Sequence, residues 1–176
     1  MQIHLATPDD FRRILEINDE SVKYLSVLDM LSLSQLHADA AYHRVLRVDG
    51  QIQAFLIALR EGSSYSSLNY RWFANKYSRF LYVDRIVVSK SFQRRGAGKF
   101  LYADLMEFAV DSEAPCITCE FDIVPPNHMS RIFHQHHGFQ TVATQEIALD
   151  KKVVALQVFD LATHSKTPRH FRKGAW

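Results

Sequence analysis

The chain has 176 residues, of which 47% are hydrophobic, and its formal net charge at pH 7 is +2. This length and apolar content favour one domain with one core, and the nearly balanced charge argues against nucleic acid as a partner. The N-terminus lacks the features of a signal peptide, and no apolar run approaches the roughly 18 residues that span a bilayer. We therefore expect a cytoplasmic protein without a membrane partner.

The N-terminal third predicts one strand, two helices and a hairpin. The strand-like run QIHLA precedes TPDDF, which has the Thr cap, the early Pro and the acidic first turn of a helix start. Asp49-Gly50 lies between two apolar runs, and this dipeptide favours a tight hairpin because both positions tolerate positive φ. The expected strands are residues 2–6, 42–48 and 51–60, and the expected helices are residues 7–25 and about 32–41.

The rest of the chain predicts a long loop, two helices and four strands. Residues 61–78 have neither a helical nor a strand period and are rich in Ser, Asn and aromatics, so we expect a loop of the kind that often carries function. Residues 79–88, RFLYVDRIVV, are mostly apolar, as a central strand should be. Further strands are expected at residues 116–124, 139–149 and 153–161, and helices after Gly98 and from Asn127.

Cys116 and Cys119 are the two cysteines of the chain. A zinc site needs four ligands, and a thioredoxin-like pair would lie at a helix start. This pair lies in a strand-like run, in which residues three apart point to opposite faces. We therefore expect two reduced cysteines and no metal site.

The predicted element order is that of a mixed α/β fold in which helices cover a sheet. We expect a single domain over residues 1–163, without an internal repeat. Residues 164–176 form a basic C-terminal tail, which is typical of a frayed, solvated end. A binding arm for a protein or RNA partner is the alternative.

The segment SFQRRGAGKFLYADL, residues 91–105, has two arginines and two glycines directly before a helix. The first N–H groups of a helix lack internal partners, the helix dipole adds partial positive charge, and glycines let a phosphate approach the backbone. Arg94 and Arg95 add guanidinium groups, which suit phosphate oxygens. The segment predicts a pyrophosphate site, but it lacks the third glycine of a dinucleotide fingerprint and the hydroxyl of a nucleotide-triphosphatase loop.

Two spaced motifs resemble those of the GNAT superfamily, the Gcn5-related N-acetyltransferases. The first is VDRIVVSKSFQRRGAGKFLYADLMEFA, which is similar to the family's strand, Q/R-x-x-G-x-G/A loop and helix. Its matching positions are Ile86, Val88, Gln93, Gly96 and Gly98. The second is PNHMSRIFHQHHGF, with matches at Asn127, Ser130, Phe133, Gly138 and Phe139. More loosely, DRIVV, CEFDIVPPN and FHQHHGF together resemble an uncharacterised bacterial branch of predicted acetyltransferases.

The resemblance implies a fold and a cofactor. The fold is α+β (mixed α/β), with a central mixed, largely antiparallel sheet of about seven strands and four helices packed on both faces. Acetyl-CoA is the implied co-substrate, with no metal. Its pantetheine arm would pair with the backbone of residues 86–88, and its pyrophosphate would contact the amides of residues 93–98. The residues implied in cofactor binding are Ile86, Val87, Val88, Gln93, Arg94, Arg95, Gly96, Ala97, Gly98, Lys99, Asn127, Ser130 and Phe133.

The implied chemistry needs a base for the amine and an acid for the leaving thiolate. The N–H of Val88 would polarise the thioester carbonyl. Asp84 is the first candidate for the base, because it is expected to share strand parity with Tyr82, Ile86 and Val88. It could instead pair with a nearby Arg as a structural charge, and Glu120 is the second candidate.

For the acid, His134 stands where the family usually has Tyr. A protonated His donates readily, whereas a neutral one near pH 7 does not. The other interpretations of His134 are a bond to the cofactor or a helix residue without a catalytic role. Tyr102 and Tyr82 are the alternative acids.

Family acceptor pockets are often formed by the first two helices and the loop before the signature strand, here residues 18–29 and 66–78. The acceptor-binding candidates are Asn18, Tyr70, Arg71, Tyr77, Tyr82 and Glu120. The aromatic members of residues 66–78 could instead pack on the core.

The resemblance implies an N-acetyltransferase that transfers an acetyl group to a primary amine of an unknown, small-molecule acceptor. Direct attack in a ternary complex is expected, because no cysteine stands where a nucleophile with an adjacent base would be. The alternative is a non-catalytic acyl-CoA-binding or regulatory domain. Members of the family often dimerise, so a homodimer is a further expectation.

Overall fold

The computed structural model describes residues 1–22, 25–148 and 151–164, with the backbone alone at residues 163 and 164. One mixed sheet has the strand order β1-β2-β3-β4-β5-β7-β6. Its strands are β1 (Gln2–Leu5), β2 (Tyr42–Val48), β3 (Gln51–Arg60), β4 (Leu81–Val88), β5 (Cys116–Val124), β6 (Gln140–Ile147) and β7 (Lys152–Asp160). The helices are α1 (Phe11–Asp19), α2 (Met30–Asp39), α3 (Leu68–Lys76), α4 (Ala97–Asp111), α5 (His128–His136) and α6 (Leu161–His164). The predicted α+β fold is confirmed.

Helices cover both faces of the sheet and make two apolar clusters. On one face, which we call the α1–α3 face, Ile14, Leu33 and Phe73 are each fully buried against the strands. On the other, the α4 face, Leu101 and Leu105 are also fully buried. Because side chains of a strand alternate between faces, each central strand contributes to both clusters. The two faces therefore give β4 two different environments.

A fork opens between β4 and β5, the one parallel pair of neighbouring strands in the described sheet. Their pairing covers only Leu81 with Ile117 and Tyr82 with Thr118, although the strands have eight and nine residues. We use the name "fork" for β4 after Tyr82 and β5 after Thr118. Beyond these pairs the facing edges of the two strands do not bond to each other, so backbone groups are directed into the gap.

Because of a bulge at Asp84, the side chains of β4 do not alternate between the two faces as expected. Val83 pairs with Ala58 and Arg85 with Ile57, so Asp84 is an extra residue without a partner on β3. Such a residue shifts the alternation of everything after it. Tyr82 belongs to the cluster of the α1–α3 face, whereas Val88 packs on the α4 face. The expectation that Asp84 shares one parity with Tyr82, Ile86 and Val88 is therefore wrong.

Helix α3 lies inside the segment expected to be a loop, so the prediction of four helices is too low. Ser67 caps this helix by accepting a bond from the N–H of Tyr70. Tyr70 and Phe73, three positions apart, are the buried residues of α3. An apolar face of two aromatics between polar residues is too narrow to give a clear helical period.

Several smaller expectations are confirmed. Asp49 and Gly50 both have positive φ, at 50° and 77°, in the turn between β2 and β3. Cys116 and Cys119 are free thiols on β5, and they join the clusters of opposite faces. One expected bound is wrong, because the first helix was predicted to reach residue 25 and α1 ends at Asp19.

Three further expectations concern the C-terminal tail, a metal site and a membrane-spanning segment. Residues 165–176 of the predicted tail lie outside the described residues. Within the described ranges, no group of three or more metal-ligating side chains occurs. None of the helices found there combines the length and apolar character needed to cross a bilayer.

Candidate active site

Alternate residues of β4 direct their backbone N–H and C=O groups into the fork. The N–H of Ser89 donates to the carbonyl of Gln53 at 2.8 Å, which makes Val88 part of a non-hydrogen-bonded pair with β3. Ile86, two residues earlier, has the same orientation. The N–H and C=O groups of Ile86 and Val88 therefore point away from β3 and into the fork, whereas those of Val87 bond to β3. An extended ligand could add to this edge as a further strand.

The start of α4 has the form of an anion site. Gly96 has φ of +85° and precedes the helix, and a Cβ there would meet nothing within 4 Å. Glycine is thus favoured by the backbone angle rather than by packing. The N–H of Phe100 is the first to bond within the helix, to Gly96, so the N–H groups of the preceding turn are directed out of the helix end. Gln93, Arg94 and Arg95 are exposed beside it.

Gly98 serves a different purpose from Gly96. A Cβ on Gly98 would lie 3.2 Å from two ring atoms of Phe133 on α5. The glycine therefore allows α4 and α5 to pack closely. Ala97 is buried at the same helix start, and Lys99 is half-buried.

Helix α5 begins as its motif predicts. The Oδ1 of Asn127 accepts a bond from the N–H of Ser130 at 3.1 Å, so Asn127 is the N-cap. Both residues are half-buried. The cap orders the first turn of α5, whose Phe133 contacts α4. The predicted roles of Asn127, Ser130 and Phe133 toward a cofactor stay predictions.

His134 is held inside the protein by both ring nitrogens. Its Nδ1 lies 2.8 Å from the carbonyl of Ser130, to which it donates, and its Nε2 accepts from the Tyr102 hydroxyl at 2.9 Å. The ring is 4% exposed, and burial lowers its pKa to about 4. A neutral ring with both nitrogens occupied is a poor proton donor near pH 7. Tyr102 is fully buried, and burial raises the pKa of its hydroxyl well above the usual value.

Asp84 is committed to a buried ion pair. Its Oδ2 accepts from Nε of Arg85 at 2.8 Å, and its Oδ1 accepts from the Tyr65 hydroxyl. The side chains of Arg85 and Asp84 are only 4% and 5% exposed. Arg85 also donates to Oδ1 of Asn18 at 2.8 Å and to the hydroxyl of Ser26 at 3.2 Å. This pair therefore ties β4 to α1 and to the segment before α2.

Glu120 occupies the other arm of the fork. The pair Tyr82–Thr118 ends the parallel ladder, and Asp84 and Glu120 each follow two residues later. Oε1 of Glu120 accepts from the Tyr82 hydroxyl at 3.0 Å, and its Oε2 is buried without a partner among the described residues. Burial, and next the charge of Asp84, raise the pKa of Glu120 to about 8. A carboxylate with this pKa can accept a proton near neutral pH.

A cavity of about 580 Å³ adjoins this ion pair on the α1–α3 face. It is lined by residues 26–28 before α2, by residues of α2, by residues 64–66 before α3, and by Arg85. Tyr65 is part of the lining and also donates to Asp84, so it stands between the cavity and the fork. Its ring lies 6.4 Å from that of Tyr82.

The predicted acceptor residues separate into two groups. Tyr70 is buried, and its hydroxyl donates to the carbonyl of Arg60 and accepts from the N–H of Ser63. Arg71 is exposed on α3, and Tyr77 packs half-buried against the core. None of these three lines the cavity. Asn18 and Tyr82 are both fully buried. Asn18 accepts a hydrogen bond from Arg85, and Tyr82 donates one to Glu120.

Three residues of this site were missed from the sequence. Arg85 carries charge inside an apolar strand, beside Asp84, and such adjacent opposite charges are a signal of a buried pair. Tyr65 and Asn69 flank the capped start of α3, which was expected to be a loop. Asn69 accepts from Gln145 at 3.0 Å and lowers the pKa of Glu120. No local pattern indicates these contacts, because they join β6, α3 and β5.

The fold is shared with acetyltransferases of known structure. Over residues 9–139 the sequence matches the Acetyltransferase (GNAT) family. The chain therefore belongs to the GNAT acetyltransferase family, as its two motifs predict. No curated protein sequence matches it.

Three solved structures illustrate the shared fold. Ard1 from Thermoplasma volcanium superimposes with a TM-score of 0.75 at 16% identity, over 90% of this chain and 96% of that chain. The protein yncA from Salmonella typhimurium, solved with its cofactor acetyl-CoA, has a TM-score of 0.70 at 16% identity, over 92% of this chain and 94% of that chain. The ribosomal-protein-S18-alanine N-acetyltransferase from Escherichia coli has a TM-score of 0.70 at 13% identity, over 90% of this chain and 92% of that chain.

Proposed function

We propose that the protein is an N-acetyltransferase that moves the acetyl group of acetyl-CoA to a primary amine of a small molecule. The observation that carries the proposal is the fork itself. Its β4 arm directs the backbone donors of Ile86 and Val88 into the gap, and its β5 arm holds Glu120. Hydrogen-bond donors for a thioester carbonyl and a base for an amine both contribute to acetyl transfer.

The residues present fit the cofactor. Acetyl-CoA supplies an acetyl group activated as a thioester. The backbone of Ile86 and Val88 would bond to its pantetheine arm, and the N–H of Val88 would donate to the acetyl carbonyl oxygen. The helix start at Gly96 would hold the pyrophosphate, with Arg94 and Arg95 adding charge.

Glu120, rather than Asp84, is our proposed base. Both oxygens of Asp84 accept bonds from other side chains, whereas Oε2 of Glu120 has no partner among the described residues. A bound ammonium would favour the charged form of Glu120, which would then take a proton from it. The transfer forms the amide C–N bond and breaks the thioester C–S bond. One ammonium proton goes to Glu120 and then to solvent, and a second balances the departing thiolate.

Direct attack by the amine agrees with the state of the two cysteines. Burial raises the pKa of Cys116 to about 11 and that of Cys119 well above its usual value. Protonated, buried thiols are poor nucleophiles, so a covalent acetyl-enzyme is not expected. Mass spectrometry of the protein after incubation with acetyl-CoA alone should find no acetyl-cysteine.

The test of the proposed function combines binding with turnover. Calorimetry with acetyl-CoA establishes cofactor binding, and release of free thiol with a panel of primary amines establishes transfer. We expect both, with the acetylated amine identified by mass spectrometry. Acetyl-CoA binding without transfer to any amine would instead support a non-catalytic acyl-CoA-binding domain.

A further inference from the structure

The lining of the cavity beside Arg85 indicates the chemical class of the acceptor, an inference that rests on the proposed acetyl transfer. Its volume of about 580 Å³ lies within the roughly 300–1,000 Å³ of small-molecule sites. Its lining comes from three separate segments of the chain and from Arg85 of the buried ion pair, and most of the lining residues are exposed, so the cavity is open to solvent. A small molecule would fit this space.

The charge of the cavity disfavours an anionic acceptor. Arg85 and Asp39 are the charged residues of the described lining. The charge of Arg85 is balanced by Asp84, which is bonded to it at 2.8 Å. Asp39 remains, exposed, and it accepts from the hydroxyl of Ser64 at 3.1 Å. An acceptor carboxylate in this cavity would be repelled by Asp39, whereas an acceptor hydroxyl can donate to it.

The remaining polar groups of the lining are hydroxyls and one amide. They belong to Ser26, Ser32, Gln35, Ser64, Tyr65 and Ser66. A hydroxyl both donates and accepts, and it rotates to suit its partner. Such a lining suits a ligand whose own groups are hydroxyls, because each can donate to one partner and accept from another. An apolar amine would offer these groups no hydrogen-bond partner.

We propose that the acceptor is a hydroxylated amine without a carboxylate, an amino sugar or an amino alcohol, with its hydroxyls bonded in this cavity. Its amine would extend past Tyr65 toward Glu120 in the fork. Tyr65 keeps its proton, because burial and the charge of Asp84 raise its pKa far above neutral. Its hydroxyl therefore acts as a fixed donor to Asp84 at the passage between the cavity and the fork.

The experiment compares matched pairs of amines. Glucosamine and ethanolamine are set against cyclohexylamine and propylamine, which lack the hydroxyls, with spermidine, alanine and a short peptide as the other classes. Thiol release from acetyl-CoA gives kcat/KM for each. We expect the better hydroxylated amine to exceed its hydroxyl-free counterpart by about 100-fold or more.

The outcomes separate this inference from the proposed function. Higher kcat/KM for spermidine, alanine, the peptide or a hydroxyl-free amine would overturn the inference and leave acetyl transfer intact. Acetyl-CoA binding without transfer to any of the amines would overturn the proposed function, and the inference with it.

Substitution of Gln35 locates the hydroxyl contacts. Gln35→Leu keeps the approximate shape and removes the amide, so we expect KM for glucosamine to rise roughly 10-fold with little change for cyclohexylamine. Ser34→Ala is the matched control, because Ser34 is exposed on the same helix and bonds to the carbonyl of Met30 rather than lining the cavity. Equal effects of the two substitutions, in proteins with equal thermal stability, would mean that the acceptor binds elsewhere.

Discussion

The two faces of β4 are built by different means. On the α4 face, the predicted pyrophosphate site consists of consecutive residues from Gln93 to Gly98, mostly exposed, and its geometry comes from the backbone of one loop and one helix start. On the α1–α3 face, the ion pair Asp84–Arg85 and the carboxylate of Glu120 are buried, and their partners come from α1, β4 and the segments before α2 and α3. A site for a common cofactor can be local, whereas a site for a particular acceptor is assembled from the whole fold.

The largest expected effect is on the α1–α3 face, at Glu120. Glu120→Gln keeps the shape but removes the base, so we expect kcat to fall by about 10²–10⁴-fold while acetyl-CoA binding is retained. In the wild type, activity should rise with pH through about 8, since Glu120 must lose its proton to act, and this rise should be absent in the variant. The measurement is the pH–rate profile of thiol release.

Glu146→Gln is the control for this substitution, because it makes the same chemical change at an exposed position of β6. Full activity of Glu120→Gln would reject Glu120 as the base and return Asp84 to that role.

The second effect concerns stability. Asp84→Asn leaves the guanidinium of Arg85 buried without its counter-charge, which should lower the free energy of unfolding by about 3–5 kcal/mol. Urea denaturation measures this change. Glu16→Gln breaks the exposed pair Arg13–Glu16, whose side chains are 35% and 50% exposed, and should cost about 1 kcal/mol or less. Equal effects of the two substitutions would mean that water reaches the Asp84–Arg85 pair.

The two faces also differ in how far the sequence predicts them. The start of α4 was predicted because two glycines and two arginines directly before an amphipathic pattern are local signals. Asn127 was predicted as a cap for the same reason. The parity of β4 was predicted wrongly, because the bulge at Asp84 depends on pairing with β3 and leaves no mark in the alternation of residue types.

Burial explains the remaining differences between sequence and structure. Tyr70 could be a lid residue or a core residue on composition alone, and the packing of α3 makes it a core residue. The pKa of Glu120 depends on its burial in the fork and on the charge of Asp84. These contacts join two different strands, so no spacing in the sequence indicates them. The fold was therefore predictable from its motifs, and the acceptor side only in outline.

The third effect tests whether His134 has a structural role. Its pKa is about 4 in the folded protein against 6.5 in the reference state, so its neutral form is favoured by folding. The resulting stability is fully present above pH 6.5 and is lost as the pH falls toward 4, by at most about 3 kcal/mol. His134→Gln should reduce this pH dependence in urea denaturation, with kcat changed by less than about 10-fold.

His136→Gln is the matched control, because His136 is the exposed neighbour of His134 on α5. A fall in kcat of about 100-fold in His134→Gln, with acetyl-CoA binding retained, would instead support the predicted role of His134 as the acid.

The fourth effect concerns acetyl-CoA binding on the α4 face. Gly96→Glu adds a negative charge and a side chain at φ of +85°, where the pyrophosphate is expected. Losing two charge-assisted bonds, each about 1.5–3 kcal/mol, should raise the Kd for acetyl-CoA about 100-fold or more in calorimetry. Gly62→Glu has nearly the same backbone angle, φ of +84°, and equally open surroundings, so it controls for strain. Unchanged affinity in Gly96→Glu would mean that the phosphates bind elsewhere.

The smallest effect distinguishes the two glycines of the α4 face. Gly98→Ala should gain up to about 1 kcal/mol of helix propensity, but its Cβ would press on the ring of Phe133 at 3.2 Å, so the net change in stability should be close to zero. In a Phe133→Leu background the ring is gone, and the same substitution should stabilise the protein by about 1 kcal/mol. A double-mutant cycle in urea measures this coupling. If Gly98→Ala instead raised the Kd for acetyl-CoA as strongly as Gly96→Glu while stability was unchanged, both glycines would serve phosphate approach, and the close packing of α4 on α5 would not explain Gly98.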